Sequence, residues 1–386
     1  MKKILFVTTI AGFLPQFEMS DVRIMQSLGY EVHYASNFNI TIYSFDSGSL
    51  KKEGIILHHV DIAKSPKSIS NNSKAIKQIK KIIDEENIDI VHCHNPMGGV
   101  AARMAAHSSK KKPYVIYTAH GFHFYEGAPL KNRVLYYNAE KFLARYTDRI
   151  VTINEEDYKA AMKLPTRQRN SAIRIHSVGV DKDKFRPNPE ISDQVREELG
   201  IPKDAFHIVT AAELNDNKNQ RVVIEAIKNL KRKDVYYSIC GVGPNRGKLE
   251  NLINTYVLSD RIRLLGYRND MERILQSADC FAFPSQREGL GIAAVEALLS
   301  GVPVIAADNR GTREYIRDGI NGIMCQATNV ADFKNAIDKL ASDSIMKQKM
   351  ASNSRESVRD FTIEEVAKVM RHLYEEADAV VSGRQV

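Results

Sequence analysis

The most informative segment of the sequence is Pro284-Ser-Gln-Arg-Glu-Gly-Leu-Gly-Ile-Ala-Ala-Val-Glu-Ala-Leu-Leu-Ser-Gly-Val-Pro303. The apolar run Cys280–Phe283 precedes it, and its segment rich in Ala, Leu and Val stops at Gly301, since helices usually stop at Gly and Pro. The pattern predicts a strand, a loop and a helix. Glu288 falls in the loop, and Glu296 falls about two turns into the helix.

The residues around Glu288 suit a polar ligand. Gly289 and Gly291 allow a ligand to approach the backbone closely, and the helix N-terminus offers unpaired N–H groups to an anion. Ionised carboxylates accept hydrogen bonds from hydroxyl groups, so a glutamate on each side of this site suits a sugar or a ribose. Glutamates eight positions apart are also common on solvated surfaces, and the spacing alone leaves both interpretations open.

The bulk composition is that of a two-domain globular protein. The chain has 386 residues, 43% of them hydrophobic and 26% charged, and this length exceeds one ordinary core. The apolar opening, Ile4 to Leu14, is predicted as a first strand with its loop rather than a signal peptide. No run approaches a membrane span, and we expect a cytoplasmic protein. The four cysteines have no metal-binding spacing and are predicted to be buried free thiols.

The net charge of +8 is unevenly distributed. Basic residues exceed acidic ones in residues 1–185, most clearly in the stretches 74–81, 110–112 and 133–149. Such a surface suits nucleic acid, an anionic membrane or an anionic substrate. No RNA-binding motif accompanies it. Attraction to a membrane surface and ordinary solvated helix faces remain the two interpretations.

Strand-like and helix-like segments alternate along the chain from Lys3 onwards, which predicts α/β units with parallel strands. Two prolines in residues 185–189 indicate a linker. We therefore predict an N-terminal domain at 1–185, a C-terminal domain at 186–365, and a C-terminal helix and tail at 366–386 that could pack back on the first domain. No G-x-G-x-x-G follows the first strand, so a nicotinamide cofactor has little support.

Two histidine-containing segments follow strands of the first half. His92–Gly99 is predicted as a polar loop that lines an interdomain cleft. Its two histidines could bind a metal, but no third ligand is evident, so a metal is not expected. His120 caps the strand 113–119, where a histidine beside Gly121 can contact a ligand; a structural loop histidine is the alternative.

These segments together resemble the retaining glycosyltransferases of family 4 over nearly the whole chain. The likeness is greatest to the EpsD-like enzymes of bacterial exopolysaccharide and capsule assembly. It implies the GT-B fold, in which two Rossmann-like α/β domains face a central cleft, with the acceptor on the first domain and the nucleotide sugar on the second. The segments that carry the resemblance, besides 284–303, are His92–Gly99, Thr118–Tyr125, Ala128–Lys131 and Glu213–Gln220.

The resemblance also implies an activity. A hexose or N-acetylhexosamine would pass from a UDP-sugar, with retention, to a glycan precursor linked to undecaprenyl diphosphate. Neither a metal nor another cofactor is expected, and no nucleic acid. The protein would be cytoplasmic, at the inner face of the membrane. The residues implied are: catalytic, Glu288, His120 and Lys218; donor-binding, Gly12, Lys218, Tyr267, Arg268, Arg287, Glu288, Gly289, Leu290, Gly291 and Glu296; acceptor-side, His94, Asn95 and His123.

One position departs from the family pattern. Many members carry an arginine that grips the diphosphate within Gly-Arg-Leu, and here Glu213 replaces it. Another cation must then compensate, or the diphosphate is held less tightly. Arg287 is the candidate from the sequence.

Two further functions remain open. A GT-B sugar-nucleotide epimerase is the nearest enzyme alternative, although the spacing of Glu288 and Glu296 disfavours it. A non-catalytic scaffold that binds a nucleotide sugar within a polysaccharide assembly complex is the other. Glu213 supports the scaffold function, whereas Lys218, Glu288 and Glu296 oppose it.

Overall fold

The computed structural model describes residues 1–40, 42–168 and 171–383. The chain forms two compact units, Met1–Gly179 with Ile363–Val386, and Val180–Thr362. The division falls a few residues before the predicted domain boundaries. The predicted linker at 185–189 lies inside the second unit, where Phe185 is buried. Residues 384–386 of the predicted tail lie outside the described residues.

The first unit alternates strands and helices. Its strands are β1 (Lys3–Ile10), β2 (Glu31–Asn37), β3 (Ile56–His59), β4 (Ile90–His94), β5 (Tyr114–Ala119), β6 (Arg149–Thr152) and β7 (Ala172–Arg174). Its helices are α1 (Phe13–Phe17), α2 (Met19–Ser27), α3 (Ser47–Lys52), α4 (Ile69–Glu85), α5 (Pro96–Ser108), α6 (Leu130–Ala144) and α7 (Glu155–Ala161).

The second unit repeats this rhythm. Its helices are α8 (Ser192–Leu199), α9 (Gln220–Lys228), α10 (Arg246–Thr255), α11 (Met271–Ile274), α12 (Ile292–Leu299), α13 (Val330–Ser342) and α14 (Ser344–Ser357). Its strands are β8 (Phe206–Ala211), β9 (Val235–Cys240), β10 (Ile262–Gly266), β11 (Cys280–Phe283), β12 (Val304–Ala307) and β13 (Gly322–Cys325). The last helix, α15 (Ile363–Val381), belongs to the first unit.

Both sheets are parallel and share one strand order. Within the described residues, seven strands form the first sheet in the order β3-β2-β1-β4-β5-β6-β7, and six form the second in the order β10-β9-β8-β11-β12-β13. In each sheet the order reverses beside the unit's first strand, as in doubly wound nucleotide-binding folds. The predicted pair of Rossmann-like units, which defines the GT-B class, is confirmed.

Each unit has its own apolar core. Central strands such as β4 are buried along their whole length, because helices cover both faces of a parallel sheet. Apolar residues from the strands pack with those of the flanking helices in two separate clusters. All four cysteines are buried and unpaired, as predicted.

Helix α15 packs on the first unit through an apolar face and through polar contacts. Tyr374 is buried, and its hydroxyl donates to Asp21 Oδ2 at 2.8 Å and lies 2.8 Å from His92 Nδ1. Lys2 contacts Asp378 near the end of the helix. The last helix thus completes the core of the first unit rather than that of the second, which precedes it in the chain.

The prediction that His92–Gly99 is a loop was wrong. Strand β4 continues to His94, and α5 begins at Pro96. The histidines suggested a loop by their polarity, but hydrogen bonds inside the protein allow such side chains to lie in a buried strand.

Candidate active site

Predicted site residues gather where the strand order reverses in each sheet. In doubly wound sheets, ligands bind beyond the carboxyl ends of the strands at this point. In the first unit, Gly12 follows β1 and His94 ends β4. In the second unit, Lys218 follows β8 and Glu288 follows β11. The fold therefore places each group at a position suited to ligand binding.

Lys218 and Glu288 form an ion pair in the second unit. Lys218 Nζ lies 2.6 Å from Glu288 Oε1, although the two residues are 70 positions apart. Their side chains are 23% and 11% exposed. An ion pair this sheltered is screened less by solvent than a surface pair. Two of the three predicted catalytic residues are thus in direct contact.

Amide side chains hold the loop that carries Glu288 on two sides. Asn217 Nδ2 donates to the carbonyl oxygen of Arg287 at 3.0 Å. Asn309 Nδ2 donates to the carbonyl oxygen of Ser285 at 2.9 Å. Because backbone groups of the loop are bonded to neighbouring loops, the position of the Glu288 carboxylate is defined before any ligand binds.

Gly291 joins this loop to α12 in a conformation that favours glycine. Its φ is +98°, and an added Cβ would lie 2.5 Å from the ring of Phe283 and 3.0 Å from the hydroxyl of Tyr315. That hydroxyl in turn lies 3.1 Å from the carbonyl oxygen of Leu290. A side chain at position 291 would displace the entry to the helix.

Glu296 lies one turn into α12, not two as predicted. The helix begins at Ile292, because Gly291 has left-handed backbone angles. Glu296 is partly exposed. Burial raises the pKa of its carboxyl to about 7, with a smaller lowering by Lys184 and a smaller raising by Glu272. The carboxyl therefore changes protonation near neutral pH.

The remaining donor-side candidates lie near the surface of the second unit. Tyr267 is 76% exposed. Arg268 donates from Nε and Nη2 to the two carboxylate oxygens of Asp270, at 2.8 and 2.6 Å. Because a carboxylate already binds this guanidinium in bidentate geometry, Arg268 is less available to a phosphate.

Sequence reasoning missed Arg310, a cation close to the Glu288 loop. Its Nε lies 3.3 Å from the carbonyl oxygen of Glu288, and its side chain is partly buried. Arg287 and Glu213 are both exposed. The position of Arg310, shortly after the carboxyl end of β12, was the signal that could have identified it.

A second group of candidates lies in the first unit. His94 Nδ1 is 3.3 Å from His120 Nε2 and 3.4 Å from Glu18 Oε1, and His120 Nε2 is 3.8 Å from Glu18 Oε1. These three atoms could hold a metal ion. His92, the other histidine of that segment, is not part of this cluster and lies 2.8 Å from the hydroxyl of Tyr374 through Nδ1. Glu18 and His120 come from distant segments that local sequence does not connect to His94.

Burial controls the charge of this cluster. It raises the pKa of Glu18 well above its usual range, and the nearby Asp21 carboxyl raises it further. Burial also lowers the pKa of His94 well below its usual range, and the nearby rings of His92 and His120 lower it further. Burial lowers the pKa of His120 to about 4. The rings are therefore neutral at physiological pH, and their nitrogens can accept a proton or a metal.

The other candidates of the first unit lie in different surroundings. Gly12 is buried, and an added Cβ would lie 2.6 Å from the carbonyl oxygen of Tyr43, so this close approach serves the protein's own backbone. Asn95 and His123 line a largely apolar cavity of about 510 Å³. His94, the third acceptor-side candidate, is not part of that lining and faces His120 instead.

Solved structures share this fold. HepE of Anabaena, crystallised with UDP, superposes with a TM-score of 0.79 at 18% identity, covering 97% of this chain and 100% of that one. Sucrose-phosphate synthase of Thermosynechococcus elongatus superposes with a TM-score of 0.82 at 16% identity, covering 98% and 100%. The likeness shows that this chain has the GT-B fold.

Family models and relatives identify the family. The model described as glycosyl transferases group 1 matches residues 191–357, and the model described as glycosyl transferase 4-like matches residues 16–154. Glycosyltransferase EpsD of Bacillus subtilis is 38% identical over 376 residues, which cover 95% of this chain and 96% of EpsD. The chain belongs to the family 4-like glycosyltransferases, and the predicted EpsD-like resemblance is confirmed.

A second relative has a more specific name. The UDP-Gal:α-D-GlcNAc-diphosphoundecaprenol α-1,3-galactosyltransferase of Escherichia coli is 28% identical over 313 residues, which cover 80% of each chain. That name describes a UDP-sugar donor and a lipid-diphosphate acceptor for the relative.

Proposed function

We propose that this glycosyltransferase moves a hexose or N-acetylhexosamine from a UDP-sugar, with retention, to a lipid-diphosphate-linked glycan precursor of an exopolysaccharide or capsule. The Lys218–Glu288 ion pair where the strand order reverses in the second sheet is the observation that carries the proposal. The donor and acceptor in the name of the Escherichia coli relative and the UDP bound by HepE support it.

On the donor side, charge stabilisation is the main task of the protein. Lys218 stabilises the diphosphate as the glycosidic bond breaks, because a fixed cation acts strongly where negative charge develops. The N-terminus of α12 adds a partial positive charge. Glu296 accepts hydrogen bonds from the ribose hydroxyls, and Glu288 lies at the transferred sugar. Lys218 supplies charge that a metal supplies in other enzymes, so transfer itself needs none.

Retention does not require a covalent glycosyl-enzyme here. Glycosidases that form one use two carboxylates at the reacting carbon, whereas Glu296 is assigned to the ribose and Glu288 is paired with Lys218. We favour attack by the acceptor hydroxyl on the face that UDP leaves. The hydroxyl proton then passes to the departing phosphate oxygen, and the imidazole of His120 contacts the donor sugar.

Helix α6 is the surface of the first unit best suited to a membrane. Large apolar side chains on it are exposed, including Leu130 at 74% and Leu135 at 63%. Four basic residues lie on the same helix or at its end: Lys131, Arg133, Lys141 and Arg145. Apolar contact combined with positive charge suits an anionic bilayer. Among the described residues, no helix has both the length and the apolar character to cross one.

Turnover of UDP-sugars tests the proposed function. The protein is expected to be stabilised against heat by UDP and one UDP-sugar, but not by GDP or ADP, because a ligand that binds only the folded state raises the midpoint. With a lipid-diphosphate acceptor, that UDP-sugar should yield UDP and a longer glycan. Isomerisation of the donor without acceptor would identify the epimerase instead, and binding without any turnover would identify the scaffold.

The affinity for UDP should fall as the pH is lowered through 7. Ribose hydroxyls bind the ionised carboxylate of Glu296, whose pKa is about 7. Between pH 8 and pH 6 its ionised fraction falls about tenfold, so the dissociation constant should rise by about the same factor. The constant is measured by calorimetry at each pH.

Glu296→Gln supplies the control for this pH dependence. UDP carries its own titrating phosphate, and this contributes equally in both proteins. The variant should bind more weakly at pH 8 and lose the additional tenfold change, because glutamine does not titrate. Identical pH profiles for the two proteins would contradict the assignment of Glu296 to the ribose.

The cation that compensates for Glu213 can be identified by paired substitutions. If Arg287 grips the diphosphate, Arg287→Ala should raise the dissociation constant of the UDP-sugar about tenfold or more, the loss expected for one charged hydrogen bond. Arg310→Ala tests the second cation beside Glu288. Arg313→Ala is the matched control, because Arg313 is exposed and bound to Asp308. An unchanged constant in Arg287→Ala would remove the hypothesis for Arg287.

A further inference from the structure

We propose that Glu18, His94 and His120 bind a divalent transition metal of the zinc class in the first unit. The ligand atoms are Glu18 Oε1, His94 Nδ1 and His120 Nε2, and their separations are 3.3, 3.4 and 3.8 Å. Zinc bonds of about 2.0–2.1 Å in tetrahedral geometry place neighbouring ligands about 3.3–3.4 Å apart. Two of the three separations match this distance. The third, between His120 Nε2 and Glu18 Oε1, requires a shift of about half an ångström.

The unpartnered carboxylate oxygen is a second, independent observation. Glu18 is 4% exposed, and Oε1, the oxygen that faces both rings, has no hydrogen-bond partner among the described residues. A buried polar atom without a partner is costly. A cation among the three atoms supplies the missing partner of Oε1, and it replaces the hydrogen bond between the two rings with two metal–nitrogen bonds.

The type of ligand selects the metal. Two imidazole nitrogens and one carboxylate suit zinc and neighbouring transition metals, whereas calcium and magnesium prefer oxygen ligands. The ring of His120 is partly exposed, with 21% of its side-chain surface accessible. That side gives the metal a path of entry and leaves a fourth position for water or substrate, as in three-ligand zinc sites.

Residues behind the ligands hold the site in place. The Asp21 carboxyl lies close enough to raise the pKa of Glu18, and it accepts a hydrogen bond from the Tyr374 hydroxyl at 2.8 Å. The ring of Phe13 packs edge-on against His120, with centroids 5.0 Å apart. Such outer contacts orient metal ligands in proteins, and their removal weakens binding. Helix α15 therefore supports the site from a distant part of the sequence through Tyr374.

Metal binding has a consequence for the proposed function. The metal bond would occupy Nε2 of His120, whose imidazole is proposed to contact the donor sugar. We therefore expect zinc to inhibit transfer at concentrations that fill the site. This consequence rests on the proposed function, whereas metal binding itself does not.

Titration of the full-length, untagged protein with Co²⁺ tests the site directly. After removal of metals with a chelator and desalting, one Co²⁺ per chain should give the visible absorption of a four-coordinate ion, and Zn²⁺ should displace it. Zn²⁺ should also raise the thermal midpoint of the wild-type protein, because it binds the folded state. This second readout requires no variant. The proposal is overturned if the wild-type protein gives neither stoichiometric absorption nor a thermal shift.

Variants separate this site from other histidines. Glu18→Gln, His94→Ala and His120→Ala should each weaken Co²⁺ binding at least tenfold. His120 is the ligand least buried, so His120→Ala is the variant expected to fold even if the other two do not. His372→Ala is the control, because His372 is exposed and bound only to Glu376 within the described contacts. Equal affinity in His120→Ala and the wild type would overturn the site.

These measurements also separate the site from the proposed function. A protein that binds one zinc ion but transfers no sugar would contradict only the proposed function. A protein that transfers sugar and binds no metal would contradict only the metal site. In the second case, the three side chains share protons in a buried network instead.

Discussion

Lys218→Ala is expected to lower kcat for glycosyl transfer by about 100- to 1000-fold, the usual loss when one charge-stabilising donor is removed from a transition state. In the proposed reaction, the Lys218 ammonium faces a diphosphate that gains charge as the bond breaks. KM should change less than kcat, because the interaction strengthens in the transition state. Turnover is measured with the UDP-sugar that stabilises the wild-type protein.

The Lys218–Glu288 contact provides an internal check on this result. Glu288→Gln removes the negative partner 2.6 Å from Lys218 Nζ, and residues in direct contact give non-additive effects. The double variant should therefore lose less than the product of the two single losses. Lys248→Ala is the control, since that side chain is 73% exposed in the same unit. A loss of only a few-fold in Lys218→Ala, with an unchanged thermal midpoint, would mean that Lys218 does not stabilise the leaving group.

Glu140→Gln is expected to lower the free energy of unfolding by about 3–5 kcal/mol, because it leaves a buried charge without its partner. Arg103 is fully buried, and its Nη1 donates to Glu140 Oε2 at 2.8 Å. Its Nε donates to the carbonyl oxygen of Gly99, and its guanidinium stacks 3.9 Å from the ring centroid of Tyr117. The arginine cannot reach water without breaking these contacts.

Denaturation in urea, followed by circular dichroism, measures this loss. Arg103→Met should cost less than Glu140→Gln, because the Glu140 side chain is 13% exposed and can recruit water. The double variant should be no less stable than Glu140→Gln alone, since methionine leaves no buried charge. Glu85→Gln is the matched control in an exposed pair with Lys81, and it should change stability by about 0.5 kcal/mol or less. Equal losses in Glu140→Gln and Glu85→Gln would contradict the expectation.

Local sequence predicted the strand, loop and helix that carry Glu288 and Glu296. The strand Cys280–Phe283, the loop and the helix follow one another as the apolar run, the glycines and Gly301 indicate. The error at Glu296 was one turn, because Gly291 could be taken as the first turn of the helix or as its cap. Only the positive φ at Gly291 distinguishes a cap from a first turn. This φ depends on Phe283 and Tyr315, which pack against that glycine.

The first unit's cluster was much less predictable. His94 and His120 were recognised separately, since each stands at the end of an apolar strand. Glu18 carried no signal, because a glutamate in a helical segment usually faces solvent. Its carboxylate points inward because Glu18 lies at the junction where α1 ends and α2 begins. Asp21 and Tyr374 join the network through the packing of α15, which sequence order does not reveal.

The alternation of strands and helices, the two-unit organisation and the family could all be predicted from the sequence, since they depend on periodicity and on motifs of adjacent residues. Which distant side chains meet depends on the three-dimensional packing. The Lys218–Glu288 ion pair, the Arg103–Glu140 pair and the Glu18–His94–His120 cluster each join separate segments. Parallel strand order brings distant strand ends to one edge of a sheet, and burial then sets the charge of the side chains that meet there.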